Sequence, residues 1–278
     1  MTGLNELLQP RPIAEDRYRV VAGKTGWRRL YGGQVVAQAL AAACLTVDRD
    51  RPCHSLHAYF LRPGAFDTPI DLEVSRDRDG RSFSARRVVA SQNGAPILTM
   101  LASFHVDAAG LAHDSDRMPD VPEPEGLPTI ADKARARGRE PPKLNMLDHI
   151  DVRPIAGGIP YDPDYTEATA MFWFRFPEAL PDDPVTNQLL LAYASDLFVL
   201  NTAVQPHRSA MTADVAVASL DHSIWFHSDA PCGQWMLYVQ ESPWAGRARG
   251  LGRGYIFARD GRHLASVAQE GLIRLGRG

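Results

Sequence analysis

The feature that most restricts the fold of this 278-residue chain is that one pattern of segments occurs twice. The sequences SLHAYF and SLDHSIWF each begin a series of predicted strands, and Phe60 in the first series corresponds to Phe226 in the second. The Asn-Gly pair at 93–94, typical of a tight hairpin turn, has the same place in its series as the Asp-Gly pair at 260–261. A repeat of this length indicates that a whole folding unit is duplicated, since solenoid repeats are much shorter.

Each series of strands follows an apolar segment that has the length of a helix. The run from Gly33 to Cys44 carries no charge, and the run QLLLAYASDLFV from Gln188 to Val199 carries only the charge of Asp196. A helix that is apolar on all sides is buried. We therefore predict an α+β fold in which a long, twisted antiparallel sheet wraps one buried helix in each half. This layout is the hotdog, and two copies in one chain make a double hotdog.

The two units are predicted to be residues 1–106 and 155–278, with the candidate catalytic residues in the second. The intervening residues 107–154 are rich in proline, glycine and charge, which predicts a linker with a helical piece near Ile130 to Arg137. We expect this segment to be more mobile than either unit, because its sequence offers few apolar anchors. The predicted strands cover 54–61, 68–76, 82–92 and 95–106 in the first half, and 168–176, 214–227, 234–242, 247–259 and 262–274 in the second.

Composition and charge argue against several classes of protein. The net charge of −3 disfavours a general basic surface for nucleic acid, and no apolar run is long enough to span a membrane. The segment MTGLNELLQPRPIAEDRYRV lacks the apolar core of a signal peptide. Cys44, Cys53 and Cys232 are too widely spaced for a disulfide framework or a metal motif, and they fit a reducing compartment. We therefore expect a cytoplasmic protein, from a GC-rich bacterium because arginine outnumbers lysine.

Three polar residues of the second half have apolar neighbours. Asp196 falls on the same stripe of the predicted helix as large apolar side chains. Ser219 shares one face of its predicted strand with valines, and Gln269 shares a face of the last predicted strand with a valine and an isoleucine. The inner face of a hotdog sheet packs on the helix, so we expect Asp196, Ser219 and Gln269 to converge between helix and sheet.

A group of this kind has two interpretations. An acid, a hydroxyl and an amide can satisfy one another as a structural network. They can also hold a water molecule whose proton Asp196 accepts, as general-base hydrolysis of an activated acyl group requires. The first half has no acid in its apolar helix, and we expect Cys53 and Ser103 to correspond to Ser219 and Gln269. This asymmetry favours catalysis, because a structural network would have had the same reason to form in both halves.

Other candidates fit ligand binding or catalysis less well. His54 and His57 lie three apart on a predicted strand and face opposite sides, which disfavours a shared metal ion. Asp221 and His222 are neighbours on a strand and also diverge. The glycine-rich stretch GRARGLGRG at 246–254 has a strand pattern with no following helix, which disfavours a dinucleotide site. Its arginines are either surface charges or contacts for ligand phosphates.

A series of motifs resembles the acyl-CoA thioesterase II family. In order they are YGGQVVAQAL, HAYFLRPG, GRSFSARRV, QNGAPI, YASDLFVL, LDHSIWFH, ARG and SVAQEG, and the resemblance covers residues 27–273. The resemblance implies a double-hotdog fold and hydrolysis of fatty acyl-CoA to free fatty acid and CoA. It implies no metal ion and no cofactor, and it suggests a homodimer or homotetramer.

The resemblance also implies which residues act. The family's catalytic set is an Asp, a Thr or Ser, and a Gln that orient the attacking water. By motif these are Asp196 in YASDL, Ser219 before LDHS, and Gln269 in VAQEG. Ser219 stands where Thr is common, so the hydroxyl is kept without the methyl group that restricts its rotamer. Gly33, which opens the first buried helix, is the residue whose N–H would polarise the thioester carbonyl.

Two other functions stay open. A hotdog hydratase or dehydratase would use a His with an Asp or Glu, and only His222 could take such an inner position. A non-catalytic acyl-CoA-binding protein could keep the fold, although the complete set of Asp196, Ser219 and Gln269 argues against lost activity. Release of free thiol from acyl-CoA separates the three functions, since neither a hydratase nor a binding protein releases CoA.

Overall fold

The framework of the protein is one antiparallel sheet, seen in a computed structural model that describes residues 3–23, 30–156, 165–178, 180–210 and 215–275. Its strands are β1 (Arg11–Ala14), β2 (Arg17–Val20), β3 (Cys53–Phe60), β4 (Ile70–Asp79), β5 (Phe83–Gln92), β6 (Ala95–His105), β7 (Asp151–Ala156), β8 (Thr169–Arg175), β9 (Val215–Ser219), β10 (Asp221–Phe226), β11 (Met236–Gly246), β12 (Arg249–Ala258) and β13 (His263–Leu275). They follow the order β1-β2-β4-β5-β6-β3-β10-β13-β12-β11-β8-β7, and β9 pairs with β13.

Two buried helices fill the inside of this sheet. The helices are α1 (Leu4–Leu7), α2 (Gly32–Cys44), α3 (Ile130–Ala136), α4 (Pro184–Ala194) and α5 (Asn201–Val204), with 3₁₀ turns at Pro124–Gly126, Asn145–Leu147 and Gln205–Ala210. Helix α2 packs on β3 to β6 and against α4. Every residue from Gly33 to Ala43 is buried, which confirms the prediction of a buried helix. None of the described helices is long and apolar enough to cross a membrane.

The two halves have the same strand order and meet in the middle of the sheet. In the first half β1 and β2 flank the series β4-β5-β6-β3, and in the second β7 and β8 flank the series β11-β12-β13-β10. The series join where β3 pairs with β10, with His57 opposite Ser223. The predicted duplication is therefore confirmed, and the arrangement is the α+β double hotdog that the sequence predicts.

The segment between the two units is held by apolar contacts. Ile130, Leu144 and Ile150 are buried, and Trp173 on β8 donates a hydrogen bond from Nε1 to the Pro122 carbonyl at 2.9 Å. The expectation of few apolar anchors is therefore wrong, whereas greater mobility of this segment stays a prediction. Strand β7 crosses the predicted boundary at residue 154, and the division into 1–106, 107–154 and 155–278 stays a prediction as well.

Helix α4 is shorter than the sequence predicts. It ends at Ala194, so Asp196 lies beyond the helix and not on its apolar stripe. The peptide N–H of Leu197 still reaches the Ala194 carbonyl at 2.9 Å, and Phe198 then takes a left-handed φ of 61°. A left-handed residue near the last turn is a common way for a helix to end. The prediction of a helix through Val199 is wrong because this turn redirects the chain.

The long strand predicted over 214–227 is two strands in the structure. Both β9 and β10 pair with β13, and Leu220 separates them. Its N–H donates to the Glu270 carbonyl at 2.9 Å, while its carbonyl accepts from the Phe60 N–H at 2.9 Å. Residue 214 lies outside the described residues. The other predicted strands are present with shifted ends, and β1, β2 and β7 are strands that the sequence did not predict.

Glycines of β12 let the chain that follows α4 lie directly on the sheet. A Cβ atom at Gly252 would lie 2.6 Å from the Val199 carbonyl oxygen, and one at Gly250 would lie 2.5 Å from the Ala203 Cβ. The glycine-rich stretch therefore has a packing role. It supports the segment that carries Asp196.

Candidate active site

Gln269 brings the three predicted residues together. Its Nε2 donates to Asp196 Oδ1 at 2.9 Å and to Ser219 Oγ at 2.7 Å. The three side chains come from β13, from the turn after α4, and from the end of β9. Convergence between helix and sheet is thus as the sequence predicts, although Asp196 reaches the site from a turn and not from a helix.

Asp196 is held by the first turn of the opposite unit's helix. Its Oδ2 accepts a hydrogen bond from the Gly33 N–H at 2.8 Å, near the N-terminus of α2. The backbone on either side of Asp196 is also fixed, because Tyr238 Oη donates to the Ser195 carbonyl at 2.6 Å and Gln240 Nε2 donates to the Leu197 carbonyl at 2.6 Å. Both units therefore contribute to the position of this carboxylate.

Burial raises the pKa of the Asp196 carboxyl above its ordinary value. The neighbouring His222 ring and the hydrogen bonds from Gln269 and Gly33 act in the opposite direction and offset part of this rise. A carboxylate with a raised pKa is a stronger base than an ordinary aspartate, and general-base catalysis is most effective with a pKa near the working pH.

A glycine is required at position 33, where α2 meets the end of α4. A Cβ atom there would collide with the Tyr193 carbonyl oxygen. The neighbouring Gly32 lines the cavity, and a Cβ atom on it would lie 2.8 Å from Asp196 Oδ2. Because the Gly33 N–H is bonded to Asp196, its expected contact with a thioester carbonyl stays a prediction.

Two further polar residues, which the sequence interpretation did not assign to the site, continue the network behind Gln269. His222 Nδ1 lies 2.7 Å from Gln269 Oε1, and His222 Nε2 lies 2.7 Å from Ser195 Oγ. His222 is 0% exposed. Asp221 points elsewhere, since its Oδ1 accepts from the Glu270 N–H at 2.6 Å. The sequence does contain a sign that His222 is buried: it lies two residues from the apolar Ile224 and so shares the inner face of β10 with it.

The catalytic candidates open into a largely apolar cavity of about 460 Å³. Asp196, Ser219 and Gln269 lie at its surface. Its walls include Tyr31, Val35, Phe60, Leu98, Met146 and Phe198, which come from both units and from the segment between them. A hydrocarbon chain could be buried here beside the polar group, which gains free energy in proportion to the apolar area removed from water.

Among the described residues of the first half, apolar side chains stand where this polar network lies in the second. When Phe60 is matched with Phe226, Leu56 corresponds to His222, and Ala102 lies opposite Leu56 in the sheet. The residue that corresponds to Gln269 is therefore Ala102, and the expectation that Ser103 takes this place is wrong. The error is a shift of one residue, which moves a side chain to the other face of a strand.

One group of side chains among the described residues could hold a metal ion. Ligand atoms of Asp114, Asp116 and His263 lie within 4.8 Å of one another, and the two acids are exposed. None of the three lines the cavity described above. The prediction that catalysis needs no metal and no cofactor stays a prediction.

Comparison with known proteins gives the class first. A family model for acyl-CoA thioesterase matches residues 163–272, and one for the acyl-CoA thioesterase N-terminal domain matches residues 23–105. The crystal structure of an acyl-CoA thioesterase II, TesB2, from Mycobacterium marinum is similar with a TM-score of 0.84 and 37% identity, covering 99% of this chain and 100% of that chain. These matches define a double-hotdog thioesterase.

Two relatives then give the family. Acyl-coenzyme A thioesterase 8 of Homo sapiens is 38% identical, with 97% of this chain and 88% of the relative covered. Acyl-CoA thioesterase 2 of Haemophilus influenzae is also 38% identical, with 99% and 98% covered. The chain therefore belongs to the acyl-CoA thioesterase family. The resemblance seen in the sequence and the prediction of a thioester hydrolase are both confirmed.

Proposed function

We propose that this protein hydrolyses fatty acyl-CoA to free fatty acid and CoA, with Asp196 as the general base. The observation that carries the proposal is the meeting of Asp196, Ser219 and Gln269 at the surface of an apolar cavity. A base with a raised pKa beside space for an acyl chain matches what thioester hydrolysis requires.

The reaction begins with water bound between Asp196 and Ser219. The carboxylate accepts a proton from the water while the oxygen of the water attacks the thioester carbonyl carbon. Ser219 Oγ accepts a hydrogen bond from Gln269, so its own hydrogen is available to orient the water. Collapse of the tetrahedral intermediate breaks the C–S bond, and the departing CoA sulfur takes the proton held by Asp196. The carboxylate is then restored for the next turnover.

The carbonyl oxygen gains negative charge in this step and needs a positive partner. The N-terminus of α2 supplies positive potential beside Asp196. Gly33 is our candidate for this role, in which its N–H turns from Asp196 Oδ2 to the carbonyl oxygen once Asp196 has taken the proton of the water.

The rival hydratase function is less well supported. That chemistry needs an imidazole that can exchange protons with substrate, whereas His222 is fully buried, does not line the cavity, and has both ring nitrogens in hydrogen bonds. An acyl-CoA-binding protein without activity would share the cavity, and only an assay of thiol release distinguishes it.

A cytoplasmic location and a homodimer or homotetramer complete the proposal. The free state of Cys44, Cys53 and Cys232 supports a reducing compartment. Size measurement in solution tests the oligomer, and fractionation of cells tests the location.

The decisive test measures free thiol released from acyl-CoA substrates of graded chain length. Asp196→Asn keeps the volume of the side chain but removes the base, so turnover should fall by roughly two to four orders of magnitude. Gln269→Ala should also lower kcat, and Ser219→Ala should do so by less, because one hydrogen bond of water orientation is lost. Asp71→Asn, at an exposed carboxylate paired with Arg19, is the matched control. A folded Asp196→Asn variant with the parental rate would contradict the mechanism.

A further inference from the structure

His222 is a fully buried imidazole that the proposed mechanism does not use. It contacts neither the cavity nor the reacting atoms, yet it is bonded to Gln269, which does belong to the site. We propose that His222 is a positioning residue that fixes the amide orientation of Gln269, and that Ser195 fixes the hydrogen-bonding state of His222. This inference rests on the proposed function and deepens it.

The amide of Gln269 works in only one of its two orientations. Its Nε2 has two hydrogens, which are donated to Asp196 Oδ1 and Ser219 Oγ. If the amide turned over, Oε1 would face the Asp196 carboxylate, and two acceptors would oppose each other. A hydrogen-bond donor at Oε1 prevents this, and His222 Nδ1 lies there at 2.7 Å. His222 must therefore carry a hydrogen on Nδ1.

Ser195 provides the hydrogen-bond partner of the other ring nitrogen of His222, Nε2. A neutral imidazole with its hydrogen on Nδ1 has an acceptor at Nε2. The Ser195 hydroxyl lies 2.7 Å from that nitrogen and 2.9 Å from the Ala192 carbonyl. The Ser195 hydroxyl has a single hydrogen, and its donation to the nearer His222 Nε2, in place of the Ala192 carbonyl, selects the tautomer that Gln269 needs. Ser195 is itself fixed at the end of α4, where its N–H donates to the Leu191 carbonyl at 2.8 Å.

The fold does not require an imidazole at this place. Leu56 occupies the corresponding position of the first half and is fully buried, with Ala102 opposite it. The apolar pair of Leu56 and Ala102 is thus compatible with this part of the sheet. A buried polar pair such as His222 and Gln269 costs free energy unless all its hydrogen bonds are made. The polar pair occurs only in the half that carries Asp196, which points to the site and not to packing.

The test compares His222→Phe with His222→Asn in a thiol-release assay. Phenylalanine fills the space but cannot donate, so kcat should fall on the order of 10- to 100-fold while KM changes little, because the amide of Gln269 is no longer held. Asparagine has a donor near the position of Nδ1, and we expect it to restore most of kcat. Ser223→Ala, on the opposite face of the same strand, is the control and should leave kcat unchanged.

A double-mutant cycle shows whether His222 acts through Gln269. When Gln269 is already alanine, adding His222→Phe should lower kcat no further, since residues that act as a unit are not additive. If His222→Phe does not fold, Ser195→Ala replaces it in the same cycle, with a smaller loss expected that again vanishes in the Gln269→Ala background.

Three results would overturn the inference. One is a parental kcat for His222→Phe alongside a slow Gln269→Ala. Another is an equal loss for His222→Phe and His222→Asn that adds fully to the loss from Gln269→Ala. In both cases the proposed function still stands if Asp196→Asn is inactive. The third is a parental rate for Gln269→Ala, which removes the residue through which His222 would act.

Discussion

At the scale of single residues, the site combines a costly charge with a strained backbone. Asp196 is a carboxylate with a raised pKa, and two residues later Phe198 has a φ of 61°. A bulky residue with positive φ is uncommon, and such strain tends to persist where function maintains it. Between the end of α4 and the start of α5, the buried carboxyl and the positive φ each cost folding free energy, and both lie at the site.

The raised pKa of Asp196 predicts how pH affects stability. A carboxyl whose pKa is higher in the folded than in the unfolded protein contributes stability at pH values below its unfolded pKa, and this contribution is lost as pH rises through the folded pKa. The amide side chain that replaces the carboxyl in Asp196→Asn does not titrate. The parent should thus gain unfolding free energy relative to the variant as pH is lowered from 7 to about 4. Urea unfolding of both proteins at several pH values measures the difference, and a difference that changes in the opposite direction would contradict the assignment.

The left-handed backbone at Phe198 predicts an unusual order of stability. At ordinary helix or strand positions, a protein with alanine has an unfolding free energy roughly 0.5–1 kcal/mol higher than the same protein with glycine. At position 198 the order should reverse, with Phe198→Gly more stable than Phe198→Ala by about 1 kcal/mol, because only glycine adopts positive φ without strain. Both variants also remove a ring from the cavity wall, so the loss of contacts cancels in the comparison. Thermal unfolding of the two variants is the measurement.

At the scale of elements, the turn after α4 depends on close contact with β12. A Cβ atom on Gly252 would lie only 2.6 Å from the Val199 carbonyl oxygen. This contact fixes how closely the segment that carries Asp196 approaches the sheet.

Gly252→Ala should therefore affect both stability and activity. The added methyl group meets backbone, which cannot move aside as a side chain would, so we expect a loss of about 1–3 kcal/mol of unfolding free energy. Displacement of the segment should also lower kcat for thiol release. Gly233→Ala is the matched control, because nothing lies within 4 Å of its new Cβ. Parental kcat in a destabilised Gly252→Ala variant would show that the contact does not position Asp196.

At the scale of the whole molecule, the two units are not independent. Helices α2 and α4 pack together, and β3 pairs with β10. The Gly33 N–H of the first unit also donates a hydrogen bond to the Asp196 carboxylate of the second. A cut within the intervening segment would leave each part without the partner that covers its helix.

We therefore predict that residues 1–138 and 139–278, produced separately, show no thiol release and that activity appears only when the two are produced together. Each half alone exposes apolar surface of its helix and one edge strand of the central pair. Assays of each half and of the co-purified pair measure this outcome. Turnover by the second half alone, which carries Asp196, Ser219 and Gln269, would contradict a shared site.

The sequence predicted the duplication and the three converging residues because both depend on local patterns. Hairpin turns and strand alternation identified the repeated series, and isolated polar residues on apolar faces identified Ser219 and Gln269. The end of α4 was missed because an apolar run does not reveal a left-handed turn at Phe198. The sequence does not reveal the role of His222, because its partners are remote in the chain: strand pairing brings Gln269 to it, and the packed end of α4 brings Ser195.

The pairing of β3 with β10 has a consequence for how such a protein can evolve. If two separate, identical chains formed this sheet, every substitution would be made at both related positions at once. Joined in one chain, the related positions are inherited independently. Leu56 can remain an ordinary core residue while His222 joins a polar network at the corresponding place. Selection can thus refine the chemistry in one copy while the other keeps the molecule folded.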